Sequence, residues 1–125
     1  TLANAITLTG GRIQASYTAN APGTLTTAQL TAQSGTITAV ITGTDFVKSG
    51  TGVLTMTGNN TFSGGVNVLA GSVLVGSATA LGSNVNAVAI KAGATLDLNG
   101  YDATIGSLTN GQSGQGGVVT NTGAG

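Results

Sequence analysis

The glycines of this chain recur in a fixed phase with the apolar residues that follow them, and that regularity restricts the fold more than any other feature. Gly11-Arg12-Ile13-Gln14-Ala15, Gly35-Thr36-Ile37-Thr38-Ala39, Gly52-Val53-Leu54-Thr55-Met56 and Gly71-Ser72-Val73-Leu74-Val75 each open on a glycine corner and place an apolar residue two positions later. Gly93-Ala94-Thr95-Leu96-Asp97-Leu98 repeats the pattern with one extra residue, and Gly117-Val118-Val119 is a weaker sixth copy. The steps between these glycines are 24, 17, 19, 22 and 24 residues, about 21 on average. A unit of about twenty residues built from short strands and tight corners cannot bury its own inner face, so such units must stack.

The expected fold is therefore all-β: a right-handed parallel β-helix, or β-solenoid, of about six coils of roughly 21 residues, with residues 1–125 as a single segment. Ile13, Ile37, Leu54, Val73 and Leu96 are expected in one buried column. At the ~4.8 Å spacing of adjacent strands, six coils make a rod about 29 Å long. A β-sandwich is the alternative, since it also uses short strands at regular spacing, but it would not require a repeated glycine phase. Helix is disfavoured: Thr, Val, Ile and Gly dominate and Glu is absent.

Charge narrows the function. Arg12, Lys48, Lys91, Asp45, Asp97 and Asp102 are the only charged residues and their formal sum is zero. Three scattered cations form no patch for nucleic acid or for an anionic membrane surface. No apolar run approaches the length of a spanning helix, and no basic start precedes an apolar segment. The chain opens at Thr1 and reads as a processed or excised piece of something longer. Zero cysteines and zero histidines remove disulfides, thiolate sites and the commonest acid/base and metal ligand. With 22 glycines, abundant Thr and Asn and almost no Lys, the composition suits an exported bacterial surface protein.

The most patterned stretch, Gly52 to Gly76, carries no charge and no activated nucleophile. Within it Thr57 to Gly65 reads as a turn, with Gly58 and Asn59 expected in the left-handed conformation. Asn60 either turns its amide inward to bond backbone or serves only as a good turn former. Phe62 is expected to pack under the loop. Asp97 and Asp102 flank the Asn99-Gly100-Tyr101 turn, but a glycosidase pair needs convergent carboxyls in a groove with sugar-stacking aromatics, and the chain has no Trp. Both are expected to face solvent. Asn59-Asn60-Thr61 is a glycosylation sequon by chance. Val53, Leu69 and Leu74 point outward and would favour lateral association if they aligned. No catalytic, metal or cofactor site is expected.

Lys48 to Asn84 closely resembles the autotransporter-associated β-strand repeat, also called the passenger-associated transport repeat. Lys48, Gly50, Gly52, Leu54, Met56, Gly58, Asn60, Thr61, Phe62, Ser63, Gly64, Val68, Gly71 and Val73 fall on its pattern, and Ala80, Leu81 and Gly82 form its A-L-G element. Met56 and Val73 stand where leucine is usual and Val66 where threonine is usual, all still strand residues. The likeness is good from about Ser34 to Gly111 and diffuse beyond. It implies a β-helical passenger of a type V secreted protein at the surface of a Gram-negative cell, a stalk supporting display, secretion and adhesion, with no catalytic residues. Its implied partners are adjacent coils of the same longer chain, with membrane attachment only through a C-terminal barrel outside this sequence and no host ligand specified. A subunit of a filament that associates laterally or end to end is the first alternative. A carbohydrate-binding or carbohydrate-active β-helix is the second.

Overall fold

The computed structural model describes residues 5–14, 23–109 and 116–123. Twelve strands follow one another: β1 (Ile6–Leu8), β2 (Arg12–Ile13), β3 (Thr24–Ala32), β4 (Gly35–Ile37), β5 (Val40–Lys48), β6 (Val53–Met56), β7 (Gly65–Val68), β8 (Ser72–Val75), β9 (Ala87–Ile90), β10 (Thr95–Asp97), β11 (Ser107–Thr109) and β12 (Val118–Thr120). Odd-numbered strands form one six-stranded sheet in the order β1-β3-β5-β7-β9-β11, and even-numbered strands form a second in the order β2-β4-β6-β8-β10-β12. Every strand pairing is parallel. Each strand thus bonds to the strand one circuit away, which is the β-solenoid and not the antiparallel sandwich. Six levels separated by five full turns give about five turns, slightly fewer than the six expected. Among the described residues no helix is long and apolar enough to cross a membrane.

Each level contributes two strands around a corner, and the glycine phase marks only the second of them. Ladder bonds such as Thr57 N–H to Ile37 O (2.9 Å), Ser72 N–H to Gly52 O (3.1 Å) and Thr95 N–H to Gly71 O (2.9 Å) fasten successive levels. In the odd sheet one inward column runs Ile6-Leu30-Phe46-Val66-Val88-Leu108 in unbroken register. Beside it runs Leu8-Ala32-Lys48-Val68-Ile90. Alternation with period two sends the intervening residues outward, so Thr7, Thr31, Val47, Asn67, Ala89 and Thr109 form an outer column.

The even sheet departs from the single column expected. Ile13 pairs with Ile37, but Ile37 pairs with Met56, which in turn pairs with Val75. Leu54 sits over Gly35 and continues through Val73, Leu96 and Val119. The five residues share one sheet and one face, yet occupy two columns offset by two positions at the third level. Ile37, Leu54, Val73 and Leu96 are buried, and Ile13, on the first level, is half-buried. A shift of two keeps every side chain on its face, so it costs no burial, whereas a shift of one would turn the core outward. Burying each Leu, Ile or Val in these stacks contributes about 1.5–3 kcal/mol.

On the exterior, Val53 and Leu69 are exposed and Leu74 is half-buried. Val53 pairs with Ser72, while Leu74 lies in the neighbouring column over Thr55. Hydroxyl-bearing residues therefore separate these aliphatics instead of letting them align.

Candidate functional site: buried polar clasps between coils

Two side chains of the repeat stretch turn polar groups into the wall of the rod. Lys48 closes β5 in an inward core position, between Ala32 below and Val68 above, and is fully buried. The small Ala32 leaves room for its stem. Its ammonium reaches the corner and donates to the carbonyls of Ser49 (2.6 Å), Gly50 (2.8 Å) and Ala70 (3.2 Å). All three ammonium hydrogens have an acceptor, and Ala70 belongs to the next level, so the side chain ties two circuits together. Burial lowers the Lys48 pKa from the ordinary lysine value, while carbonyl oxygens around the group favour its charged form.

The corner glycines belong to this clasp. Gly50 supplies one acceptor, and Gly52 O accepts from Ser72 N–H. Gly71 has φ +65°, and a Cβ there would stand 2.4 Å from Gly52 O, 2.6 Å from Gly50 O and 2.7 Å from Lys48 Nζ.

Asn60 forms the second clasp, which settles the two readings of its amide. It is buried; its Oδ1 accepts from Ile41 N–H (2.8 Å) on the level below, and its Nδ2 donates to Ala80 O (2.7 Å) on the level above. The arch of residues 57–64 is further held by Thr61 N–H to Ile41 O (2.9 Å). Gly58 and Asn59 do not adopt the left-handed conformation expected of them. Gly58 is needed for close approach, since a Cβ there would lie 2.1 Å from Ala39 O. Thr61, Ser63 and Gly64 face solvent along the arch, while Phe62 goes inward and stacks on Phe46 with ring centroids 5.9 Å apart.

The remaining repeat positions fall in two groups. Leu54, Met56, Val68 and Val73 are inward strand residues, and Val66, also buried, joins them. Ala80, Leu81 and Gly82 are buried in the loop after β8, where Ala80 O receives Asn60 and Leu81 O receives a second buried amide, Asn86 Nδ2 (3.2 Å). Asn86 also donates to Phe62 O (2.8 Å), one level down. Sequence reasoning missed Asn86; its only signal was an asparagine following the A-L-G element.

The two aspartates separate. Asp102 is exposed and lines a groove of about 570 Å3 with Thr79, Ser83, Asn84 and Thr104. Asp97 lies off that groove, at the outward strand position expected of it in the column of Thr55 and Leu74, and there it clasps the last level. It accepts from Thr122 Oγ1 (2.5 Å), Thr122 N–H (3.0 Å) and Asn99 N–H (2.9 Å). The Thr122 hydroxyl first, then the Thr122 amide, hold its carboxyl below the ordinary aspartate value; desolvation opposes them, and the Asn99 amide adds the smallest contribution in their direction.

A folded-state pKa below the unfolded one means that this clasp stabilises fully above the unfolded pKa and is lost as pH falls through the folded one. The Thr122 amide is thus expected to lose exchange protection, after correction for intrinsic rates, at a pH below 3.8 where the Ser72 amide retains it. Asp97→Asn should give the weakened Thr122 amide at every pH. An amide whose protection is equal in both proteins and independent of pH would show that Asp97 does not hold this level.

A parallel β-solenoid whose levels are fastened by side chains bonded to backbone defines a repeat protein of the solenoid class. Residues 46–75 match the model of the Passenger-associated-transport-repeat family, and the chain carries a repeat of that autotransporter passenger family. The match spans the Phe46–Phe62 stack, the whole Lys48 clasp and Asn60, whose partners Ile41 and Ala80 lie on either side of it. The chain is also 41% identical over 96 residues to the Adhesin BmaC autotransporter of Brucella suis biovar 1 (strain 1330). That alignment covers 74% of this chain and 3% of the relative, so the chain spans a small part of the curated relative it matches. No solved structure matches it significantly.

Proposed function

We propose that this chain is a non-enzymatic stalk segment of a secreted autotransporter passenger, displayed at or released from a bacterial cell surface, that holds adhesive regions away from the membrane. One observation carries this reading: Lys48 and Asn60, the polar side chains of the repeat that could do chemistry, are spent on backbone groups of neighbouring levels. Aliphatic columns and clasps of this kind resist bending and commit both side chains to holding the levels together. Attachment to the outer membrane would come from a barrel elsewhere in the longer protein.

Antibodies raised against the 125-residue chain are expected to label intact, unpermeabilised cells of the source bacterium or to find the antigen in the medium. Labelling only after permeabilisation would refute surface display. The purified chain is expected to show no saturable binding to host cells, in keeping with a spacer; saturable binding would move adhesion into this segment.

A further inference from the structure

The corner after β10 carries a chemistry that the stalk role does not use. Leu98, Asn99, Gly100 and Tyr101 form a tight bend closed by Tyr101 N–H to Leu98 O (2.8 Å). Its central residues have φ +49° at Asn99 and +83° at Gly100, the both-positive pattern of a type I′ turn. Asn99 is the one non-glycine with positive φ among the described residues. An Asn-Gly pair is also self-reactive, because glycine has no side chain to hinder its nitrogen. The Gly100 nitrogen attacks the Asn99 side-chain carbon: the N–Cγ bond forms, the Cγ–Nδ2 bond breaks, and ammonia leaves with the proton given up by Gly100 N–H. Water then opens the cyclic imide to aspartate or to isoaspartate.

In the fold, neighbouring groups hold each atom that must move. The attacking nitrogen, Gly100 N–H, donates to Asn121 Oδ1 (2.6 Å) on the level above. The departing Asn99 Nδ2 donates to Val75 O (3.2 Å) on the level below, and Asn99 N–H donates to Asp97 Oδ1 (2.9 Å). Gly123 passes so close that an added Cβ there would strike Asn99 C and O and Gly100 N. We propose that Asn99 is a deamidation site kept intact by stacking, with Asn121 as its lock, so that a coil lifted off for long cannot restack. Aspartate tolerates a positive φ as asparagine does, so the bend itself survives the change. The ladder does not: a carboxylate has no hydrogen for Val75 O and sets a second negative charge beside Asp97, and isoaspartate also lengthens the main chain. The device does not depend on the passenger role.

The folded chain, the same chain in urea and three variants are incubated at mildly alkaline pH and mapped peptide by peptide in a mass spectrometer. Mapping separates Asn99-Gly100 from Asn110-Gly111, which lies outside the described residues. Asn99 is expected to convert at least about tenfold more slowly in the folded chain than in urea. Asn121→Ala, at an exposed site and with the circular dichroism spectrum unchanged, should raise the folded rate about tenfold by freeing the Gly100 nitrogen. Asn121→Asp, which keeps an acceptor, should stay near the parent. Asn99→Asp, standing for the aspartate product, should lower exchange protection of the Gly100 amide about tenfold while the Ser72 amide keeps its own. Folded and unfolded chains converting alike, a folded Asn121→Ala no faster than the parent, Asn121→Asp as fast as Asn121→Ala, or full Gly100 protection in Asn99→Asp would each overturn the proposal.

Discussion

Replacing Lys48 with methionine is expected to lower the stability of the rod by about 3 kcal/mol, although it removes a charge from the core. Methionine is close in length and flexibility to the lysine stem, so the space between Ala32 and Val68 stays filled. The loss is electrostatic: the carbonyls of Ser49, Gly50 and Ala70 lose their common donor. A hydrogen bond from a charged group contributes about 1.5–3 kcal/mol, so three intact bonds would exceed the expected figure. Gly50 is exposed and Ser49 and Ala70 are half-buried, so water replaces part of what the ammonium gave. Urea unfolding followed by circular dichroism should show a lower midpoint with an unchanged slope. A methionine variant as stable as the parent would mean that desolvating the ammonium cancels its three bonds, and that Lys48 is tolerated instead of fastening anything.

The contrast between what could and could not be read beforehand follows from where each interaction finds its partner. The inner face was legible because period-two alternation survives any even shift, so Ile37 and Leu54 were assigned to the interior although they stand in different columns. The offset itself was hidden: Gly35 and Gly52 look equivalent in sequence, but Leu54, not Gly52, lies over Gly35. The clasps were half legible. Lys48 and Asn60 could be picked out as repeat positions, yet their acceptors and donors are main-chain groups of Ser49, Gly50, Ala70, Ile41 and Ala80, which no side-chain identity announces. Asp97 was legible as an outward residue but not as a clasp, since its partner Thr122 is 25 residues away and only the stacking of levels brings them together.

Gly71→Ala is expected to cost about 4 kcal/mol or more, and its cause can be separated from simple backbone strain. Gly71 has φ +65°, a conformation that costs an L-residue about 1–2 kcal/mol. The rest comes from crowding: the new methyl would press on Gly52 O at 2.4 Å and Gly50 O at 2.6 Å, neither of which is free to retreat. Gly52 O holds Ser72 N–H, Gly50 O holds Lys48, and Gly71 O itself holds Thr95 N–H on the next level. A shift at this corner therefore loosens bonds on both sides of it. Gly93 is the internal control, because its φ is +83° but nothing lies within 4 Å of an added Cβ. Gly93→Ala should show the conformational cost alone, about 1–2 kcal/mol. Because the methyl would also stand 2.7 Å from Lys48 Nζ, Gly71→Ala and Lys48→Met should be non-additive, the double variant losing at least about 1 kcal/mol less than the two single losses together. Equal losses at Gly71 and Gly93, or strict additivity with Lys48→Met, would reduce the corner to an ordinary tight turn and remove the physical reason for Lys48 and Gly71 to stand together at it.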